Sequence, residues 1–172
     1  RHSAIMGGFL LAGALLRFAG AGTESLWFDE AFSVIASRQG ITSILQGGAD
    51  PVLPPLYFVM LHVWQRAAGE SEFAVRALSG FFSLLSVACV FRLGTVLFTR
   101  GTGVWAAGLM TVAPFQITYA QEARPYALCV LLSTALLWAF ASALKDSRPT
   151  TWGGYVCLAA LAMYTHYFFG LV

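Results

Sequence analysis

Charge is scarce in this sequence. Lysine and arginine number 10 and aspartate and glutamate 8 in 172 residues, so only 10% of the chain is charged, where soluble domains carry roughly 25%. Hydrophobic residues make up 58% of it and its mean hydropathy is +0.72. So few polar side chains could not cover a body of this size against water, which excludes an ordinary soluble domain and leaves an integral membrane protein. The net charge of +2 is small and unclustered, so no nucleic-acid footprint is present. Cysteine is equally sparse. Cys89, Cys129 and Cys157 fall inside apolar runs without ligand-like spacing, and read as small buried hydrophobes, neither a disulfide frame nor a metal site. A Walker loop, a His-Glu-x-x-His pair and a Gly-x-Ser-x-Gly elbow are all missing. That argues against P-loop hydrolysis and against the familiar hydrolases.

What the sequence does have is apolar stretches of span length. Crossing a ~30 Å hydrocarbon core takes about 20 mostly apolar residues. Segments 4–22, 73–98, 101–119, 125–144 and 151–170 are expected to cross, with a juxtamembrane region at 23–72. The expected fold class is therefore all-α and polytopic: about five spans, plus amphipathic or re-entrant helices in the first external loop. Trp152 and Tyr155 at one end of the last segment, and Tyr164, Tyr167, Phe168 and Phe169 at the other, suit the two interfaces. Segment 4–22 has a rival reading as a signal peptide, from Arg1 and His2 before the apolar run and Ala19-Gly20-Ala21 after it. Its full span length favours an uncleaved anchor. The chain starts at Arg1 and stops within an apolar run, so residues 1–172 are expected to be the N-terminal part of a larger transmembrane domain.

Segment 54–68, PPLYFVMLHVWQRAA, decides the topology. It is short for a span and contains His62, Gln65 and Arg66, which fits an interfacial or re-entrant helix. Pro54-Pro55 suits its first turn. If this segment does not cross, a cytoplasmic N-terminus puts Arg1, Arg92, Arg100, Lys145 and Arg148 at cytoplasmic ends. The acids Glu24, Asp29, Glu30, Asp50, Glu70, Glu72 and Glu122 then lie outside, with Asp146 the exception. The inner loops satisfy the positive-inside rule, although Arg38, Arg66, Arg76 and Arg124 stay outside. WFDEAF, LPPLYF, SEFAVR, QEARPY and THYFF would then meet at one membrane surface.

Each of these clusters has a bland reading and a functional one. Asp29 could simply N-cap an interfacial helix, with Glu30 near its positive dipole end. Alternatively, the pair supplies a general base, or ligates a metal or a substrate hydroxyl. Glu122 and Arg124 fall in a turn before Pro125. They could form a structural pair or a lipid-headgroup contact, or Arg124 could hold a phosphate in its planar donor fork. For Arg76 the alternatives are snorkelling and phosphate binding. Tyr57, Tyr126 and His166 are weaker candidates for the same substrate surface. No metal-ligating set is assigned, and no cofactor is read beyond a candidate divalent metal.

In order, LWFDEAFS, LPPLYFVMLHVW, GESEFAVRALSG, YAQEARPYAL and YTHYF resemble the N-terminal half of a GT-C superfamily membrane glycosyltransferase. The resemblance is to the bacterial branch related to protein O-mannosyltransferases and the lipid A aminoarabinose transferase. It implies an inverting transfer, on the external face of the bacterial inner or plasma membrane, from a polyprenyl-phosphate-linked sugar to a protein, lipid or glycan acceptor. It implies Asp29 as catalytic base with Glu30 as its acidic neighbour. Arg76 matches the family's Arg after the juxtamembrane region, and Glu122 and Arg124 match its motif before the next span, as candidates for substrate and phosphate binding. The 172 residues alone are then expected to be inactive. One departure is Leu53, where many relatives carry His before the Pro pair, so a role for that His does not carry over. The competing classes are a transporter or flippase fragment, whose charges would line a path near the midplane, and a non-catalytic structural subunit.

Overall fold

The computed structural model describes residues 2–171, and among them there is helix but no strand. Helix α1 (His2–Phe18) runs through the first apolar segment and gives way to turns at Gly20, whose φ of 79° is left-handed. Helix α2 (Phe28–Ser37) begins after Trp27, which is extended. Trp27 therefore holds the cap position, which rules out the N-cap alternative for Asp29, the second residue of the helix. Glu30, third in the helix, reaches back to accept from the Trp27 N–H at 3.3 Å. Both acids sit in the first turn, where the helix dipole favours them. Helix α3 (Ile41–Ser43) is a single turn that runs on as a π-helical turn, Ile44–Gly48.

Helix α4 (Leu56–Ala68) follows Pro55 and stops at Gly69, whose φ of 88° only glycine adopts easily. Leu56 N–H bonds the Tyr164 carbonyl at 3.0 Å, and the other end of α4 turns directly into Ser71. Ser71 caps helix α5 (Glu72–Leu97) by accepting from Ala74 N–H at 3.2 Å. Both ends of α4 thus lie at the same end of the bundle, and it lies across that end without traversing it.

Helix α5 is the central element, packed on α1, α6 and α8. At 26 residues it is about 39 Å long. Helix α8 (Tyr126–Asp146), with 21 residues, spans about 31 Å. These two are long and apolar enough to cross a membrane. The other expected spans are shorter helices. Besides α1 these are α6 (Arg100–Val112), continued by α7 (Pro114–Ala120), and α9 (Pro149–Met163). Helix length alone therefore supports two of the five spans. Apolar side chains facing outward on the shorter helices, such as Leu15 at 72% exposure and Trp105 at 77%, give them the surface of lipid-facing elements.

The expected span 101–119 is broken because Pro114 has no N–H to donate and Ala113 turns extended, with ψ of 120°. The freed backbone is met by Arg17, which is fully buried in α1. Its Nη1 donates to the Thr111 carbonyl at 3.0 Å, its Nη2 to Met110 at 3.2 Å and its Nε to Ser83 Oγ at 2.8 Å. Further along the same helix pair, towards the α5–α6 turn, Gly94 of α5 and Gly103 of α6 let two backbones touch: a β-carbon on Gly94 would lie 2.8 Å from Gly103 Cα.

The apolar core sits beneath α4, where Val34, Tyr57, Phe58, Leu61, Val75, Leu78 and Leu128 meet. It ties α2 and α4 to the first turns of α5 and α8. The opposite end of the bundle is marked by Lys145, which donates to the Val96 carbonyl, and by Arg92, stacked 5.4 Å from the Trp138 ring. Arg1, expected at that end, lies outside the described residues.

Candidate functional site

The five aromatic or acidic clusters read from the sequence converge at one end, and the two adjacent acids there face different ways. A step of one residue turns a helix by about 100°. Glu30 consequently points inward and is fully buried, while Asp29 keeps 40% of its side chain exposed.

Glu30 is the hub of a polar knot. Arg76, on the first turns of α5, donates from Nε to Glu30 Oε1 at 2.9 Å and from Nη2 to Oε2 at 2.7 Å, the bidentate geometry that suits a guanidinium. Ala123 N–H adds a bond to Oε1 at 2.8 Å. Burial alone would raise the Glu30 carboxyl; the Arg76 and Ala123 hydrogen bonds outweigh it and hold the group below its ordinary value. The rest of Arg76 is also committed. Nη1 donates to the carbonyls of Ala21 at 2.9 Å and Glu24 at 2.8 Å, and Nη2 to Ser25 at 3.2 Å. Every donor of its fork is taken, so the expected phosphate contact through Arg76 has no free N–H behind it. Arg76 instead locks the loop after α1, helix α2 and the α7–α8 loop into one piece.

Asp29 stands on the outer side of this knot. Its Oδ2 is 3.9 Å from Arg124 Nη2, and the Arg124 side chain is 12% exposed. Arg124 Nη1 also reaches Ser33 Oγ at 3.2 Å and the Asp29 carbonyl at 3.4 Å. Its Cζ lies 5.7 Å from the centre of the Tyr126 ring, and its Nε is buried without a partner. Unlike Arg76, it retains unspent donor capacity. Tyr126 then leads into an apolar cleft of about 340 Å³, shared with Cys129, Ser133, His166, Phe168 and Phe169. The structure therefore brings Asp29, Arg124, Tyr126 and His166 onto one side.

Tyr57 and Glu122 lie elsewhere. The Tyr57 ring is wholly buried in the core. Its hydroxyl has no hydrogen-bond partner, Ser79 lying beside it outside bonding geometry, and burial pushes its pKa well up. Tyr57 packs beneath the site without lining it. Glu122 opens on the other side of the knot, into a cleft of about 390 Å³ with Glu24, Trp27, Thr118 and Gln121. Its Oε2 is buried and unpartnered. Burial and the charge of Glu30 raise its carboxyl above the ordinary value, against the pull of Arg124 and Arg76.

Ser33 was missed in the sequence, although it stands four residues after Asp29 and hence on the same helix face. No group of three or more His, Cys, Asp or Glu gathers among the described residues.

The candidate site is thus a partly exposed carboxylate beside a guanidinium, next to an apolar cleft at one end of the helical bundle. Residues 52–172 match the family of dolichyl-phosphate-mannose-protein mannosyltransferase. The chain belongs to this family of GT-C membrane glycosyltransferases. No curated protein matches the chain. The match begins after the acidic pair, but Arg76, Ala123 and Arg124, which bind that pair, all lie inside it.

Proposed function

We propose that the chain forms part of a transferase moving a sugar from a polyprenyl-phosphate donor to a protein, lipid or glycan acceptor. Transfer takes place at the non-cytoplasmic face of a bacterial inner membrane, with the N-terminus in the cytoplasm. The observation that carries this reading is the Asp29–Arg124 pair, a partly exposed carboxylate 3.9 Å from a guanidinium with an unpartnered Nε. Asp29 accepts the proton of the acceptor hydroxyl as its oxygen attacks the anomeric carbon. The bond from that carbon to the phosphate oxygen breaks, and the electron pair leaves on the phosphate. Arg124 offsets the charge that grows there. One displacement inverts the anomeric centre. The apolar cleft beside Tyr126 and His166 takes the first isoprene units of the tail.

Glu30 and Arg76 act in this scheme as positioning residues. Their bonds fix the rotation of α2, and with it the direction of Asp29.

The test is transfer of labelled sugar from polyprenyl phosphate by the intact protein, with donor binding measured separately. Asp29→Asn keeps the shape and loses the base, so transfer falls roughly 10²–10⁴-fold while donor binding holds. Arg124→Gln weakens donor binding as well as turnover. Near-parental transfer by Asp29→Asn would end the proposal.

A further inference from the structure

A third cleft, of about 530 Å³, opens between α1, α5 and the start of α6, at the end of the bundle opposite Asp29. Its walls include Leu10, Ala88 and Phe91, and its mouth carries Arg92 and Arg100. Gly7 leaves it open on the α1 side, where a β-carbon would meet nothing within 4 Å. Both arginines are exposed.

Protein carboxylates do not balance them. The ion pairs among the described residues are Arg38–Glu70, Arg76–Glu30, Arg124–Asp29 and Arg148–Asp146. Neither Arg92 nor Arg100 takes part in one. Asp146, the acid at this end, sits 3.0 Å from Arg148. Helix α6 opens on Arg100 with no acid in its first turn, so the positive end of its dipole adds to the two guanidinium charges. Arg92 lies over Trp138, a ring type that settles at the depth of lipid headgroups. Two uncompensated cations above an apolar groove between membrane helices complement a molecule with an anionic head and a hydrocarbon tail.

We propose that this cleft binds an anionic phospholipid. Its phosphate lies between Arg92 and Arg100, and an acyl chain runs along Gly7 and Phe91. This assignment requires insertion in a membrane and is independent of the transferase reading.

The experiment is native mass spectrometry of the intact protein, titrated with dioleoylphosphatidylglycerol or with dioleoylphosphatidylcholine, which has the same chains. The expected result is binding of the anionic lipid about thirtyfold more tightly, as two interfacial arginines at about 1 kcal/mol each would give. R92Q/R100Q brings the two lipids within about twofold of each other, since it removes the charges and keeps the groove. Gly7→Leu fills the groove and weakens both lipids alike. Glycerol 3-phosphate at millimolar concentration displaces neither. Four results would each overturn the assignment: equal affinities in the parent, a preference that survives R92Q/R100Q, unchanged binding in Gly7→Leu, or displacement by glycerol 3-phosphate. The last would make it a site for free phosphate.

Discussion

Replacing Arg76 by Met should destabilise the acidic end of the protein, and the size of the effect follows from its contacts. The substitution keeps most of the apolar stem and removes all five donors. Glu30, with no exposed surface, would be left with only the N–H groups of Ala123 and Trp27. The carbonyls of Ala21, Glu24 and Ser25 would lose their partner as well. Removing one member of a buried ion pair typically costs 3–5 kcal/mol, because the remaining charge is stranded. Water can reach Glu24 and Ser25, which are exposed, so about 3 kcal/mol is expected. Glu30→Gln is milder, at about 1.5–3 kcal/mol, because Arg76 keeps its carbonyl acceptors. In Arg76→Met/Glu30→Gln no charge is stranded, so the double variant should cost less than the sum by at least about 1 kcal/mol. Unfolding of the intact protein in mixed micelles, titrated with SDS and followed by circular dichroism, measures all three. An Arg76→Met variant within 1 kcal/mol of the parent, or costs that simply add, would show that the knot is not a coupled unit.

Four further outcomes follow. Arg17→Met should destabilise the same titration by about 2–4 kcal/mol, since it strands the Met110 and Thr111 carbonyls inside the bundle; Arg17→Lys should recover part of this, and a Met variant as stable as the parent would remove the clamp. The Glu122 carboxyl is raised in the fold, so the folded state holds its proton longer. Stability should therefore decline as pH rises from the unfolded value of 4.5 through the folded one, and Glu122→Gln should flatten that decline; parallel pH curves would refute it. Glu30 has the opposite sign, its contribution being present above 4.5 and lost as pH falls through its depressed value. Single cysteines at Ser71 and Gln121 should react with an impermeant thiol reagent from outside the cell and one at Ser147 should not; opposite labelling of 71 and 121 would contradict the single-face arrangement.

The long helices were largely legible in the sequence because local signals mark their ends. Segment 73–98 became Glu72–Leu97, bounded by the Ser71 cap, and segment 125–144 became Tyr126–Asp146, started by Pro125. The break inside 101–119 was visible in principle as Pro114, a residue that ends a helix wherever it falls inside an apolar run. The rotation of α2 was harder to read. Adjacent acids differ only in which way the helix faces, and that is set by packing against α5 and the α7–α8 loop. Glu30 stands three residues after the cap, a spacing that hints at the inward-facing acid. Arg76 was identified as a site residue, but its acceptors lie 46 to 55 positions away, beyond any local pattern. The sequence could therefore nominate two phosphate-binding arginines but could not show that one of them was already fully occupied.

Arg17 also sets an order of events during synthesis. Its carbonyl partners on the broken helix lie 93 and 94 residues further along the chain, so the first helix leaves the ribosome well before they do. Placed near the end of α1, the long side chain can meanwhile reach the interface and stay hydrated. Its withdrawal into the bundle requires the kinked pair to arrive, and the kinked pair needs Arg17 to satisfy its open carbonyls. Buried without the other, each would leave polar groups unsatisfied, so α1 and the kinked α6–α7 pair can be buried only together. A nascent chain stalled before Met110 would hold α1 in a looser, more exposed state than the finished protein does.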